Sequence, residues 1–335
     1  MTKKFPYLAV IGSHRDLGYA VGETFREKIR KVIAWRKANI PEYRELLKKT
    51  QHYFLVALHV FPKLIEELTS IAIAADVGVM DLFFLNTRSL YDPHPDPEAE
   101  KLVSHDRCTT VVSFSETGAI MGHNEDWAAE NIDDLYVLKA TIGKTKFLGL
   151  NYVNELPGTA AAMNNWGLVQ GINELHQVDL LGIPQNFLAR RVLECQTLDE
   201  AEKILTESKQ DSGFNHVLVR GKELRNAEIA GGKIDILEVY NQPFVHTNHF
   251  LGHLKKYEIY HTQNSLNRYE RAKKLVKNNM TIEEMKKLLA DHQDKNYPIC
   301  RDRETISSLI LVPEKGEVQI CYGPACRGEF VKYTL

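Results

Sequence analysis

Apolar residues recur every four positions at Leu17, Val21, Phe25, Ile29 and Ile33, which places them on one face of a helix. Ser13 or Asp16 supplies the N-cap. The same period runs through residues 44–77, broken at Pro62, and a short helical pattern follows over 79–90. Most of the first ~90 residues are therefore predicted to be helical. Residues 91–107, YDPHPDPEAEKLVSHDR, hold Pro93, Pro95 and Pro97 among many charges and read as a surface loop or linker. Beyond it β-branched and aromatic residues dominate. CTTVVSF (108–114), the turn SETG and AIMGHNEDW (119–127) read as a hairpin. Strand patterns continue at 135–142, 146–153, 158–165 and 167–175. Helical patterns lie at 186–195 and 198–208, the second capped by Thr197. Strands return between 216 and 250. Helical patterns at 268–278 and 282–292 follow, the latter with the capping box Thr281–Glu284, and strands at 305–313 and 317–323 close the chain. The order strands, helices, strands, helices, strands suits an α+β fold of two antiparallel sheets with helices packed outside them. The division expected is a helical region 1–107 and a β-rich region 108–335.

The totals narrow the partners. The chain has 335 residues, 44% of them hydrophobic and 26% charged, which is ordinary for a globular protein with a sizeable core. Forty-two basic against 44 acidic residues give a formal net charge of −2, so no overall field attracts a polyanion and nucleic acid is not an expected partner. No apolar run approaches the ~20 residues that span a bilayer, so no membrane partner is expected. The basic N-terminus lacks a signal-peptide core. Five scattered cysteines do not form a disulfide framework, which points to a reducing, cytoplasmic location.

One cysteine stands apart. Cys108 sits where the charged loop meets the first strand. As a small hydrophobe it is unremarked in a sheet. If the Arg107–Cys108 bond is cut, however, Cys108 carries both a thiol (pKa ~8.5) and an α-amine (pKa ~7.7–8.0), so one residue supplies nucleophile and base. The protonated amine then serves a leaving group, and the pair suits acyl transfer from an amide through a thioester. Asp126, at the far end of the returning hairpin strand, is placed to hold the ammonium; the plainer reading of NED is a solvated strand end. Asn248 in HTNH (246–249) is a candidate oxyanion donor, or part of a polar turn. Asn173 in GINEL is a second donor, or merely a strand terminator. The H-x-x-H spacing of HTNH has no second ligand cluster, and Cys321 and Cys326 do not match the usual C-x₂₋₄-C step, so no metal is expected. Cys195 and Cys300 read as packing residues. There is no phosphate loop, dinucleotide fingerprint or serine elbow, and no cofactor is expected.

RCTTVVSF…GAIMGHNEDW, MNNWGLVQGINEL, HTNH and NYPICR occur in the order in which they occur in acyl-CoA:6-aminopenicillanic acid acyltransferase-like proteins (peptidase family C45), and GSHRDLGYAVGE resembles the N-terminal α region of that family. The resemblance covers nearly the whole chain. It implies an N-terminal nucleophile (Ntn) hydrolase: an αββα four-layer sandwich, made as a zymogen and activated by autocatalytic cleavage before the cysteine. It implies Cys108 as nucleophile, Asp126 as active-site aspartate, Asn248 as oxyanion residue and, more loosely, Asn173. Thr110 matches a threonine near the processing site, and Arg107, Glu125 and Arg301 join it as processing or substrate residues. Two departures stand out: Arg107 replaces a glycine, and the arginine of the last sheet is represented by either Arg301 or Arg303. The expected activity is hydrolysis of a small N-acyl amide, with acyl transfer from a thioester or amide donor to an amine as the alternative. β-Alanyl amines, short acyl-amino acids and β-lactam-like side chains are candidate substrates, and the α and β fragments are expected to stay associated. An unprocessed binding scaffold is the third reading, prompted by Arg107.

Overall fold

The computed structural model describes residues 3–87, 108–175, 182–208, 213–259 and 261–335. Among the described residues, fourteen strands fall into two sheets. The larger has eight, in the order β1 (Tyr7–Gly12), β4 (Leu135–Ile142), β5 (Thr145–Tyr152), β6 (Ala161–Asn164), β7 (Leu168–Glu174), β8 (Phe214–Arg220), β9 (Glu223–Ala230), β10 (Lys233–Tyr240). The smaller has six, in the order β11 (Phe244–His246), β2 (Thr109–Ser115), β3 (Gly118–Asp126), β12 (Thr305–Val312), β13 (Glu317–Tyr322), β14 (Phe330–Thr334).

Alternation along each strand decides what lies between the layers. On β8, Val217 and Val219 face the space between the sheets, whereas Leu218 faces outward. On β12, Leu309 and Leu311 point inward and Ile310 outward. Helices cover both outer faces, so strands are buried on two sides, as in TISSLILV, where all eight residues are buried and the last four are an unbroken apolar run. Outside the large sheet lie α1 (His14–Thr24), α2 (Arg26–Asn39), α3 (Tyr43–Val60), α4 (Pro62–Ala75), α5 (Val79–Leu85), α6 (Gln185–Val192) and α7 (Leu198–Glu207), their apolar faces merged with that sheet in one core. Outside the small sheet lie α8 (Gln263–Leu275) and α9 (Ile282–Leu289), joined to it through Val111, Ile310 and Met285. The layers run helix, sheet, sheet, helix, the αββα four-layer sandwich that the resemblance implies.

The helical N-terminal region opens with an unexpected strand. β1 pairs in parallel with β4 at the edge of the large sheet, with Tyr7 opposite Val137. Its alternating exposed and half-buried pattern is that of an edge strand, although its sequence, YLAVIG, is an apolar run, weighed above only as a signal-peptide core. Ser13 then caps α1 in a reciprocal box with Asp16. The single helix read over Leu17–Ile33 is interrupted at Phe25, which leaves the helical range between α1 and α2.

Candidate active site

The hairpin β2–β3 sets the site. Its register puts Thr109 opposite Asn124. One step further along this ladder faces Cys108 toward Glu125 and leaves Asp126 at the strand end. Cys108 is 6% exposed and immediately precedes β2. Its thiol donates to Glu125 Oε2 at 3.4 Å, and the Asp126 backbone amide points at the sulfur. Burial pushes the thiol well up, and the charges of Glu125 and Asp126 push it further, so the sulfur keeps its proton in this state.

Glu125 is buried but held ionised. Burial alone would raise its pKa; the hydrogen bond and charge of His123, with hydrogen bonds from Tyr152 and the thiol, bring it below the usual carboxylate range. Tyr152 donates to Oε1 at 2.7 Å, and His123 Nε2 stands 3.0 Å from Oε2. The other nitrogen of His123 lies 2.9 Å from the Thr110 hydroxyl, which donates to Asn173 Oδ1, also at 2.9 Å. Thr110 and Asn173 thus belong to the polar chain beneath the thiol. Asn173 Nδ2 is buried and has no hydrogen-bond partner among the described residues.

Asp126 is fully buried. Thr305 donates to its Oδ1 at 2.6 Å, whereas Oδ2 has no hydrogen-bond partner among the described residues, the nearest guanidinium nitrogen, Arg301 Nη1, being 3.9 Å away. Burial raises its pKa against the pull of Arg301 and Arg268. This carboxyl group, on the residue next to Glu125, therefore keeps an unfilled acceptor. Of the two candidate arginines, Arg301 is the buried one, 4% exposed beside Asp126, and Arg303 is on the surface.

Asn248 joins the site through a residue the sequence reading passed over. Arg268, wholly buried on α8, donates to the carbonyl of Cys108 at 3.0 Å, to Thr109 Oγ1, to Asn248 Oδ1 at 2.8 Å and to Asn264 Oδ1. Asn248 Nδ2 donates to the Glu174 carbonyl, and its backbone amide to Ser265 Oγ. The histidines of HTNH are spent on the fold: His246 meets Glu228 and the Thr247 carbonyl, and His249 meets Ser265 and Thr247. His123, Tyr152 and Thr305 were likewise missed. The signal for Arg268 was present, since Asn264, Arg268 and Ala272 follow at four-residue steps and share a buried helix face. Arg107 lies outside the described residues.

Residues 113–325 match the family model of acyl-coenzyme A:6-aminopenicillanic acid acyl-transferase. The chain is 26% identical over 310 residues to the acyl-coenzyme A:6-aminopenicillanic-acid-acyltransferase 40 kDa form of Emericella nidulans, covering 87% of this chain and 83% of that one. It is 26% identical over 223 residues to the β-alanyl-dopamine/carcinine hydrolase of Drosophila melanogaster, covering 61% of this chain and 57% of the fly protein's length. Among solved structures, the Caenorhabditis elegans ortholog of N-acylethanolamine-hydrolyzing acid amidase superposes with a TM-score of 0.49 at 17% identity, over 62% of this chain and 93% of that one. A mutant of conjugated bile acid hydrolase from Clostridium perfringens gives 0.46 at 12%, over 68% and 97%. With its family model matched over nearly two thirds of its length, the chain belongs to the acyl-coenzyme A:6-aminopenicillanic acid acyl-transferase family.

Proposed function

We propose that this chain cuts itself before Cys108 and then hydrolyses small N-acyl amides through a thioester on Cys108. The observation that carries this reading is the pairing of a buried thiol with two carboxylates of different character: Glu125, an ionised acceptor at 3.4 Å, and Asp126, whose Oδ2 is unfilled.

In the first step Glu125 takes the thiol proton, and the sulfur attacks the carbonyl carbon of residue 107. The C–N bond breaks as the thioester forms, and the nitrogen leaves as the α-amine of Cys108, which recovers the proton. Water then hydrolyses the thioester and frees the residue-107 carboxylate. The new ammonium finds its acceptor in Asp126 Oδ2, the carboxylate oxygen without a hydrogen-bond partner among the described residues. It also reverses the field on the thiol, since a cation favours the thiolate that Glu125 and Asp126 disfavour. In the second reaction the α-amine accepts the thiol proton, sulfur attacks the substrate amide, and the amine passes that proton to the departing nitrogen. Asn173 Nδ2, a buried donor without a partner among the described residues, is the group offered to the oxyanion, joined by the second N–H of Asn248 Nδ2, whose first donates to the Glu174 carbonyl. Water completes the cycle.

β-Alanyl amides are the first substrates to test, because the fly relative is a hydrolase of β-alanyl-dopamine and carcinine. Release of free amine from such an amide by the cleaved protein, abolished in Cys108→Ala, is the expected result; unchanged release in Cys108→Ala would contradict the proposal. The Emericella relative, matched over a greater share of this chain, favours acyl transfer as the second reading. Both share the acyl-enzyme. An acceptor amine such as 6-aminopenicillanic acid added in excess separates them: acylated acceptor replacing free acid supports transfer.

A further inference from the structure

A second convergence of metal-binding side chains lies away from Cys108. His292, Cys300 and Cys326 each present one ligand atom, and the three atoms lie within 4.8 Å of one another. They come from distant points of the chain: His292 just past α9, Cys300 in the segment entering β12, and Cys326 in the turn after β13. The β12–β13 hairpin, with Ser307 opposite Tyr322, folds the third back over the first two. Asp302 stands beside two of them. Its Oδ1 is 3.4 Å from Cys326 Sγ and 3.7 Å from His292 Nε2, while its Oδ2 pairs with Arg327. The thiols of Cys300 and Cys326 are themselves hydrogen-bonded.

Zn–S bonds of about 2.3 Å and Zn–N or Zn–O bonds of about 2.0–2.1 Å, arranged tetrahedrally, give ligand-to-ligand edges of about 3.3–3.8 Å. Both edges to Asp302, 3.4 Å and 3.7 Å, fall in that range. We infer that His292, Cys300, Asp302 and Cys326 form a structural zinc site. Two thiols, one imidazole and one carboxylate make a closed four-ligand set with the borderline-soft character zinc selects. Cys300 is buried, whereas Cys326 and His292 reach the surface, so the site has a floor and an entry path. Binding releases the two thiol protons, and the cation supplies the charge that both thiolates need. Arg301 lies between two of the ligands. The metal therefore fixes the backbone on both sides of the guanidinium that faces Asp126, which makes the site a positioning device for Arg301. The ligands are scattered over the chain, and the two cysteines fall on opposite sides of a hairpin, so no spacing template finds them.

The test uses full-length, reduced, metal-stripped protein titrated with Zn²⁺, and in parallel with Co²⁺. The expected result is about one zinc per chain retained through gel filtration, and a thiolate-to-cobalt charge-transfer band. Both are lost in Cys326→Ser and in His292→Ala, which alter surface side chains, and both persist in Cys108→Ala, which breaks the other thiol–imidazole–carboxylate cluster. No retained zinc and no band would overturn the inference, as would binding unaffected by the first two variants. A Cys300–Cys326 disulfide whose reduced form takes up no zinc would overturn it as well.

Discussion

At the scale of single residues, the site is a contest over one proton. Glu125 is held ionised beside the Cys108 thiol by His123 and Tyr152, so it is the base available before any α-amine exists. Glu125→Gln keeps the shape and the Tyr152 contact but removes the base. Self-cleavage is expected to slow about 10²-fold or more, the scale of general-base catalysis, read as persistence of the intact chain in a time course by mass. Cleavage at the wild-type rate would remove Glu125 from the mechanism. Arg268 acts on the other side of the same residue, fixing the Cys108 carbonyl and Asn248 together. A lysine offers a point charge in place of a planar fork and leaves buried acceptors unmet. Arg268→Lys is expected to cost about 2–4 kcal/mol in denaturant unfolding; a change within a few tenths of a kcal/mol would show that this network does not bear on the fold.

Between elements, α1 packs closely on α4. Gly18 and Gly22, one turn apart in GYAVG, sit so near the α4 backbone that a β-carbon at either would overlap the carbonyl oxygen of Glu67 or Ile71. Backbone cannot swing aside as a side chain can. Gly22→Val is therefore expected to destabilise by about 3 kcal/mol or more, seen as a lower thermal midpoint; an unchanged midpoint would mean the helices have room to part. Elements of this kind were legible wherever one face was apolar. The four-residue period marked the helical layer, the two-residue period marked the hairpin carrying Cys108 and Asp126, and Thr197 and Thr281 cap the helices they announce. β1 was legible as the apolar run YLAVIG but its place was not, because its parallel partner, β4, lies some 130 residues away. Arg268 escaped notice for a related reason: a charge on a helix looks solvated until the fold shows which stripe is inward. Glu125 and Asp126 were visible as NED, but which of them faces the sulfur follows from the hairpin register.

For the whole molecule, burial of neutral histidine ties the fold to pH. His216 is buried at the large sheet, with one ring nitrogen 3.2 Å from Gln170 Oε1 and the other without a hydrogen-bond partner among the described residues. Burial lowers its pKa to about 3, and burial with the nearby charges of His246 and Arg268 lowers that of His249 to about 3. Both folded values lie below the unfolded ~6.5. Above that pH both states are neutral and the full stability is present; below it the unfolded chain binds protons that the folded one refuses. Each histidine should then remove ~1.4 kcal/mol per pH unit until its folded pKa is reached. The urea midpoint is expected to fall from pH 6 toward pH 4, and His216→Gln to flatten the slope; a midpoint constant over that range would contradict the buried, neutral assignment. The central claim is that Cys108 becomes an N-terminus, and the intact mass of freshly purified protein under denaturing conditions, beside Cys108→Ala, tests it most directly. The uncut chain is 38.3 kDa. The account expects two species of roughly 12 and 26 kDa, the larger beginning at Cys108, and one 38.3 kDa species in the variant. A single 38.3 kDa species in both would contradict it and leave an unprocessed chain whose cleft can only bind.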